Sequence, residues 1–434
     1  MRSLTAFLLS FFFLASLSAR NLNIVRDAET ENLLKNIARE LVKSTDLNAD
    51  ELDFYIDNQN YINAFVIPGQ KFFFTTRLLL ESRQLEDIAG IVGHEIGHIT
   101  GGHFSEKIKA SQKSSIISIL SSILAAGVIA SGASDAGTAI LLGGQQIGSQ
   151  NLLSFSRRQE SVADQTAIRL LKDAGFSLEG LLNIFKILEK NENLKQINPY
   201  FLTHPLSSER KKYIYLNLKN QNIRQFKKLE EDYALVKAKL NGFFLDEQQL
   251  NSIYFDNESI EKAYAFSLLN YKIGKSDIAI RLINKCIAMD PENPYFHELK
   301  GQIYYESGKI KQSLASFRKA IKISSNEKSF KLFLAKALYH SNSNKAYKES
   351  INLLWDYIES DEFPVEAWHY LGLNFGKIKK FDLSSYALAE KYLLVNEIKN
   401  AKMHIQRVKK ISKDKVLLNK IADLEEEIRK KEKR

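Results

Sequence analysis

The hydrophobic pattern of the first half of the chain changes from helical to strand-like and back. Residues 26–44 place acidic residues first, apolar residues at helical spacing and basic residues last, which predicts an amphipathic helix with favourable dipole complementarity. Three short segments follow, rich in β-branched and aromatic residues, at 54–56, 62–67 and 72–76. We expect them to form a small antiparallel β-unit with a turn at Pro68.

Helical spacing then returns. It predicts helices over 77–109, with a mild break at Arg83–Gln84, and over 157–173 and 178–189. Residues 207–245 look helical and charged, and we assign 221–254 as a helical linker to the second half of the chain.

Residues 116–150 differ from their surroundings because they consist mainly of Gly, Ala, Ser, Ile and Leu. Their uncharged run, 116–130, is shorter than the roughly 20 residues that a spanning helix needs. Two interpretations stay open. The segment forms two packed helices with small residues at their contact, or it forms a membrane-dipping hairpin or a mobile cover over a groove.

The second half of the chain repeats. Gly274 and Gly308 are 34 residues apart, and aligning them pairs small and apolar positions such as Ala279 with Ser313. This is the period of tetratricopeptide (TPR) repeats, which we assign to 255–411. Stacked helix pairs leave a concave face, where we expect a protein partner.

The two ends of the chain have distinctive compositions. Residues 1–19 contain an early Arg, an apolar run and small residues at the end, which predicts a secretory signal peptide, with an uncleaved anchor as the alternative. Residues 412–434 are predicted as a basic C-terminal helix. Export of a chain with a single cysteine, which has no intrachain disulfide, indicates the bacterial periplasm.

Composition changes this picture only modestly. The 434 residues are 44% hydrophobic and 26% charged, which argues against a disordered chain and against a polytopic membrane protein. The net charge of +10 suggests nucleic acid, but residues 401–434 alone hold twelve basic and six acidic residues. No groove-reading motif accompanies that charge, so we expect no nucleic-acid partner.

The chemistry is concentrated in Gly93-His94-Glu95-Ile96-Gly97-His98, within a predicted helix. Histidines at i and i+4 share a helical face and can reach one metal ion, and zinc accepts imidazole nitrogens readily. Glu95 projects beside such a metal, where it can take a proton from water.

Catalytic zinc takes three protein ligands, so a third is needed. His103 lies off the ligand face if the helix continues, and we reject it. Glu160 and Asp164 are i and i+4 on a second predicted helix. Glu160 can bind the metal, and Asp164 can accept a hydrogen bond from the other nitrogen of a ligand histidine.

HExxH followed by a helix with ExxxD resembles the gluzincin metalloproteases. It is most similar to the family of HtpX and the CAAX prenyl protease, and within it to the BepA-like periplasmic members that carry TPR repeats. Further marks are Asn63-Ala64-Phe65, similar to that family's edge strand, and Thr203-His204-Pro205 with Glu209-Arg210, similar to its loop after the third ligand. The similarity covers 26–215 and 255–411.

The resemblance implies zinc ligands at His94, His98 and Glu160, with Glu95 as general base. It also implies an edge strand at Asn63, Ala64 and Phe65 that pairs with the substrate backbone.

His204 and Arg210 would face the cleft. His204 either stabilises the oxyanion or occupies the fourth zinc position until a substrate displaces it. Arg210 either orients the substrate carbonyl or anchors Asp164.

The sequence therefore predicts an α+β, mostly helical protein. A gluzincin-type peptidase domain at 20–220 contains a small β-sheet, and an all-α TPR solenoid follows it along the chain. We expect an exported zinc endopeptidase with one Zn²⁺ per chain, acting on unfolded or misassembled envelope proteins during outer-membrane protein assembly. Peripheral membrane contact would run through 116–150. The alternative is a chaperone-like TPR scaffold whose zinc site is weakly active or structural.

Overall fold

The structure, a computed structural model, divides the chain into two compact units between Asn241 and Gly242. That division falls inside the segment predicted as a linker. The predicted signal peptide and residues 116–150 lie outside the described residues, which are 24–103, 156–192, 200, 204, 207–255, 258–359, 361 and 364–432.

The first unit contains a four-stranded sheet in the order β1-β2-β4-β3. Its strands are Ile24–Val25 (β1), Asp53–Asp57 (β2), Ala64–Ile67 (β3) and Lys71–Thr75 (β4). The antiparallel pairing of β3 with β4 follows the prediction, but β2 runs parallel to β4, and β1 was not predicted. The wholly antiparallel arrangement was wrong because β2, β3 and β4 are buried on both faces almost throughout, so no alternation identifies their partners.

A tight turn joins β3 to β4. Gly69 has φ +88° and Gln70 has φ +59°, a left-handed pair typical of hairpin turns. The turn pairs β4 with β3, and the other edge of β4 pairs with β2. Strand β3 is therefore the last strand in the order. Its outer edge has no neighbouring strand among the described residues.

Helices pack against this sheet. Those at Ala28–Val42, Arg157–Ala174 and Glu179–Glu192 agree closely with the predicted segments. The helix predicted to reach 109 ends at Thr100, and 207–245 contains two separate helices. The helical conformation is interrupted between Glu81 and Leu85, where the sequence predicted a break at Arg83–Gln84. The helices of this unit are Ala28–Val42 (α1), Thr76–Glu81 (α2), Leu85–Thr100 (α3), Arg157–Ala174 (α4), Glu179–Glu192 (α5), Ser208–Asn217 (α6) and Lys227–Phe244 (α7), the last containing the division between units.

The second unit is entirely helical in its described residues, and each helix packs on the next in sequence. Its helices are Glu247–Ile253 (α8), Ile260–Lys272 (α9), Ser276–Met289 (α10), Pro294–Glu306 (α11), Ile310–Ile323 (α12), Lys328–Tyr339 (α13), Asn344–Ile358 (α14), Val365–Lys377 (α15), Phe381–Leu394 (α16), Ile398–Ile411 (α17) and Lys415–Glu432 (α18). The expectation of an α+β, mostly helical chain ending in a helical-repeat solenoid is confirmed.

The 34-residue period is visible in the backbone. Gly274 and Gly308 end equivalent helices with φ +78° and +73°, and Asn342, a further 34 residues along, has φ +52°. The aligned pair Ala279 and Ser313 is fully buried. No helix among the described residues of either unit is long and apolar enough to cross a membrane.

Candidate metal centre

Helices α3 and α4 approach closely because small residues face each other where they cross. A Cβ atom added to Gly97 would lie 2.6 Å from the carbonyl oxygen of Ala163, and one added to Gly93 would lie 3.6 Å from the Cα of Ala167. The approach is therefore tightest at Gly97. Since His98 follows Gly97 and Asp164 follows Ala163, this contact brings the two predicted motifs together.

Four side chains from these helices and from the segment after α5 place one donor atom each in a single buried cluster, all within 4.8 Å of one another. His94 Nε2 lies 3.1 Å from His98 Nε2, and the two nitrogens lie 3.5 and 3.4 Å from the Glu160 carboxylate. His204 Nδ1 lies 3.1 Å from Glu160 Oε1 and 3.3 Å from His94 Nε2. All four residues are at most 2% exposed.

These separations match the requirements of zinc. Four donors held at about 2.0–2.1 Å in a tetrahedron stand roughly 3.3–3.4 Å apart. Five of the separations lie between 3.1 and 3.5 Å and bracket that spacing, with Glu160 presenting Oε2 to His94 and Oε1 to His98 and His204, while the donor set as a whole lies within 4.8 Å. Imidazole nitrogens and a carboxylate oxygen are also ligand types that zinc prefers, so the residues fit the ion.

Asp164 and Arg210 orient the ring of His94 through its Nδ1 atom. Its Nδ1 lies 2.9 Å from Asp164 Oδ1. Arg210 donates to both oxygens of Asp164, through Nε at 2.6 Å and Nη2 at 2.9 Å, while its Nη1 lies 2.7 Å from Glu160 Oε2. Of the two roles weighed for Arg210, the geometry matches the anchoring of Asp164.

These contacts set the charge of the two carboxylates. Burial alone would raise the pKa of Asp164, but hydrogen bonds from Arg210 and His94 lower it. The pKa of Glu160 is held well below its ordinary value because the charge and hydrogen bond of His204, with hydrogen bonds from His94 and His98, outweigh burial. Both groups are therefore carboxylates, the form that can ligate a metal or accept from a ligand.

Glu95 differs from the other two acids. It is fully buried, burial raises its pKa, and its carboxylate oxygens have no hydrogen-bonded side chain among the described residues. The ring of His204 lies beside it, with Nε2 3.6 Å from Oε1. An acid with a raised pKa beside the donor cluster is suited to accept and release a proton.

His103, which the sequence analysis rejected as a ligand, lies outside the donor cluster, but its contact with His98 was missed. It is buried, and its Nδ1 lies 2.9 Å from Nδ1 of His98. The rejection as a ligand assumed that the helix continues, but α3 ends at Thr100 and Gly102 follows with φ +66°. The glycine pair after the helix was the available signal, since it allows the chain to fold back.

His204 is fixed by Tyr200. The His204 backbone N–H donates to the Tyr200 carbonyl at 2.7 Å, and the rings stack at 4.6 Å. Tyr200 is itself buried, and burial raises the pKa of its hydroxyl well above the ordinary value. The imidazole is thereby held with one nitrogen toward the donor cluster and the other toward Glu95.

The predicted edge-strand residues lie beside α3. Ala64 and Phe65 belong to β3, and Asn63 precedes it with its carbonyl accepting from the Thr75 N–H at 3.0 Å. The Asn63 side chain is fully buried, yet neither amide atom has a hydrogen-bond partner among the described residues. The backbone N–H of Val66, also in β3, helps to stabilise the charged form of Glu95.

The chain is similar in sequence to known peptidases. The profile of peptidase family M48 matches residues 28–215. The "Beta-barrel assembly-enhancing protease" of Escherichia coli K12 is 24% identical over 387 residues, which cover 87% of this chain and 78% of that protein. "Metalloprotease YcaL" of the same organism is 33% identical over 136 residues, covering 31% of this chain and 50% of that protein.

Among solved structures, MamA of Desulfovibrio magneticus RS-1 overlaps 39% of this chain and 97% of its own at 16% identity. The TM-score is 0.32, too low to support a conclusion.

Proposed function

We propose that this chain, whose residues 28–215 match the profile of peptidase family M48, is an exported zinc endopeptidase that cleaves unfolded or misassembled envelope proteins. The observation that carries the proposal is the buried set of four donors within 4.8 Å of one another, with the carboxyl group of Glu95 beside it. A purely structural site requires the donors but not the acid.

In this mechanism His94, His98 and Glu160 would hold the zinc. When bound, the ion supplies a Lewis acid that polarises the peptide carbonyl and acidifies water. Glu95 accepts the proton of the attacking water and passes it to the leaving amine, a role that its raised pKa suits. Asp164 keeps the Nε2 of His94 directed at the cluster by accepting from Nδ1.

His204 then acts as an internal block. Its Nδ1 lies at the same spacing as the other donors, so the fourth position is filled by the protein itself. A catalytic site needs that position open for water or substrate. Between the two roles weighed for His204, this geometry favours the one in which a substrate must displace the ring before reaction, with Tyr200 stacking as the contact to be broken.

The free edge of β3 is the proposed place of substrate binding. Asn63 bonds to Thr75 across the hairpin, so by the alternation of an antiparallel ladder the backbone groups of Ala64 and Val66 point to the outer edge. An unfolded chain can add a strand there through main-chain hydrogen bonds, independent of its sequence. The unpaired amide of Asn63 supplies one further donor and acceptor to that chain.

The solenoid is proposed to recruit a protein partner on its concave face. The name of the Escherichia coli relative refers to β-barrel assembly, so we place the activity in assembly or degradation of outer-membrane proteins in the periplasm. Export by residues 1–19 and membrane contact through 116–150 belong to the same proposal.

A chaperone-like scaffold is the competing function, and one observation favours it. Four protein donors, with His204 as the fourth, are the number found at structural zinc sites. The buried acid at Glu95 is the observation against it.

Replacing Glu95 by Gln separates the two. With casein as substrate, we expect Glu95→Gln to lose at least about 1000-fold in turnover while zinc, measured by mass spectrometry of the purified protein, stays near one ion per chain. Glu231→Gln, at an exposed position, is the matched control and should keep full activity. Unchanged cleavage by Glu95→Gln would refute the assignment of the base. Absence of cleavage by both the wild-type chain and His204→Ala would favour the scaffold.

A further inference from the structure

A basic and apolar surface follows directly after Arg210. Between residues 211 and 228 the chain has six basic residues and no acidic residue, the bases being Lys211, Lys212, Lys219, Arg224, Lys227 and Lys228. The expectation that positive charge is concentrated at the C-terminus overlooked this run. We refer to these residues as the 211–228 surface.

Large apolar side chains are exposed in the same stretch. Tyr213 is 42% exposed, Tyr215 67%, Leu216 65% and Ile223 56%. Among the described residues of the first unit, Val162 is the one other large apolar side chain that is exposed. Exposed apolar groups are thus concentrated at the basic run, which points to an interaction site.

On α6 the two kinds of side chain share one face. Lys212, Tyr215 and Leu216 are at i, i+3 and i+4, so they lie together on the solvent side. Arg210 and Ile214, on the opposite side, are buried. The helix is anchored to the domain and presents a mixed face outward.

Part of the charge is neutralised within the protein. Lys211 pairs with Glu189, and Lys228 lies 3.0 Å from Asp232. Lys212, Lys219 and Lys227 remain exposed and form no ion pair with the described residues. The surface therefore keeps a positive charge that an anionic partner can match.

We propose that the 211–228 surface binds an anionic lipid membrane. Tyrosine and aliphatic side chains flanked by lysines suit the boundary between headgroups and acyl chains, where the rings enter and the ammonium groups contact phosphates. Nucleic acid fits less well, because Leu216 and Ile223 have no planar face on which bases can stack.

The consequence for substrate choice rests on the proposed function. Arg210 contacts Glu160 and Asp164, and Tyr215 is five residues later, about 7.5 Å along the helix axis. A membrane at the 211–228 surface would hold the metal centre near the headgroups, so its substrates would be chains that stall at the membrane surface.

Vesicle sedimentation tests the lipid proposal without any measurement of activity. The purified mature chain should bind vesicles of 30% phosphatidylglycerol in phosphatidylcholine and not vesicles of phosphatidylcholine alone. Reversal of the three unpaired lysines (Lys212→Glu, Lys219→Glu, Lys227→Glu) should weaken binding at least about 30-fold. The matched control reverses three exposed lysines of the basic C-terminus (Lys410→Glu, Lys413→Glu, Lys415→Glu) and should lose less than threefold.

The environment of residue 215 tests whether the apolar side chains of the surface enter the membrane. Tyr215→Cys, labelled with an environment-sensitive dye, should shift its emission to the blue on addition of the anionic vesicles, and Cys286 is buried and does not compete for label. Equal loss in both charge variants, no spectral shift, or binding of polyglutamate or of short DNA in place of vesicles would each overturn the proposal. Loss of proteolysis by Glu95→Gln leaves it untouched.

A second inference comes from the histidine pair behind the donor cluster. When Nε2 of His98 ligates zinc, its Nδ1 carries the hydrogen and can donate to Nδ1 of His103, which lies 2.9 Å away. We infer that His103 is a positioning residue that fixes the tautomer and ring plane of His98, as Asp164 does for His94.

The chain makes room for this contact with glycine. A Cβ at Gly101 would lie 2.5 Å from Nε2 of His103, so a side chain there would displace the ring. Gly102, with φ +66°, supplies the left-handed turn that returns the chain.

Zinc affinity, measured by competition with a chromophoric chelator, is the test. His103→Ala should raise the zinc dissociation constant about 10–100-fold. His103→Asn keeps an acceptor near the Nδ1 position and should stay within about threefold. Thermal unfolding of the zinc-free protein should be equal in both variants. His340→Ala, an exposed histidine of the second unit, is the control. Equal losses in His103→Ala and His103→Asn, or no loss in either, would contradict the role.

Discussion

Gly97→Ala is the sharpest test of how the two helices build the site. The new Cβ would stand 2.6 Å from the carbonyl oxygen and 2.8 Å from the Cα of Ala163. Both are backbone atoms, which cannot turn aside as a flexible side chain would. Ordinary contact begins near 3.4 Å, so α3 and α4 must separate by about 0.8 Å at this point.

That displacement is large for a metal site. Zinc–ligand distances tolerate about 0.2 Å, and His98 and Glu160 are carried by the two separating helices. We expect the zinc dissociation constant to rise at least about 30-fold and kcat/KM on casein to fall about 100-fold. Overpacking should cost about 1–3 kcal/mol of unfolding free energy, offset by up to about 1 kcal/mol from alanine's helix propensity.

Gly93→Ala is the matched control, because it adds the same methyl group to the same helix four residues earlier. There the nearest atom is the Cα of Ala167 at 3.6 Å, an ordinary contact. Chelator competition and urea unfolding on both variants should show unchanged zinc affinity and equal or higher stability for Gly93→Ala. Equal zinc affinity in the two variants, or a loss in Gly93→Ala as large as in Gly97→Ala, would refute the close-approach argument.

Three further predictions follow from buried contacts. His204→Ala should raise basal cleavage of a fluorogenic peptide severalfold with zinc content unchanged, and lower activity would assign the ring to catalysis. Removing zinc with a chelator should lower the calorimetric Tm of the first unit by several degrees, because ion binding contributes to folding, whereas an unchanged Tm would contradict a buried site around Glu160. Lys239→Met should lower the free energy of unfolding, measured in urea, by about 3–5 kcal/mol. The Lys239 ammonium lies 2.6 Å from Asp27 and 3.2 Å from Glu29 in a buried setting. A decrease below about 1 kcal/mol would contradict that reasoning.

The sequence was sufficient to locate His94, His98, Glu160 and Asp164 because each pair is separated by four residues within one helix. Such spacing determines a shared face whatever the rest of the fold does. What brought the two pairs together, the contact of Gly97 with Ala163, could not be read from spacing, since it depends on how two distant helices cross.

His103 shows where helical projection fails. The projection is valid only while the helix lasts, and α3 ends three residues before His103. The order of the strands failed for a related reason, because sequence alternation specifies a face only when one face meets water. His204 was reached through the family resemblance and not through spacing. Its position depends on the segment around Tyr200, which no periodic pattern predicts.

Charge balance gives a reason, independent of distance, for a divalent ion at this site. Glu95, Glu160 and Asp164 bring three carboxylates to at most 1% exposure, and Arg210 supplies one permanent positive charge beside them. Uncompensated charge in such a setting costs several kcal/mol. Imidazoles contribute donors but no charge when they ligate a metal in the neutral form. With Glu95 ionised, a formal charge of −2 then remains, which a divalent cation balances. The arginine that anchors Asp164 therefore also sets part of the charge that the ion must balance.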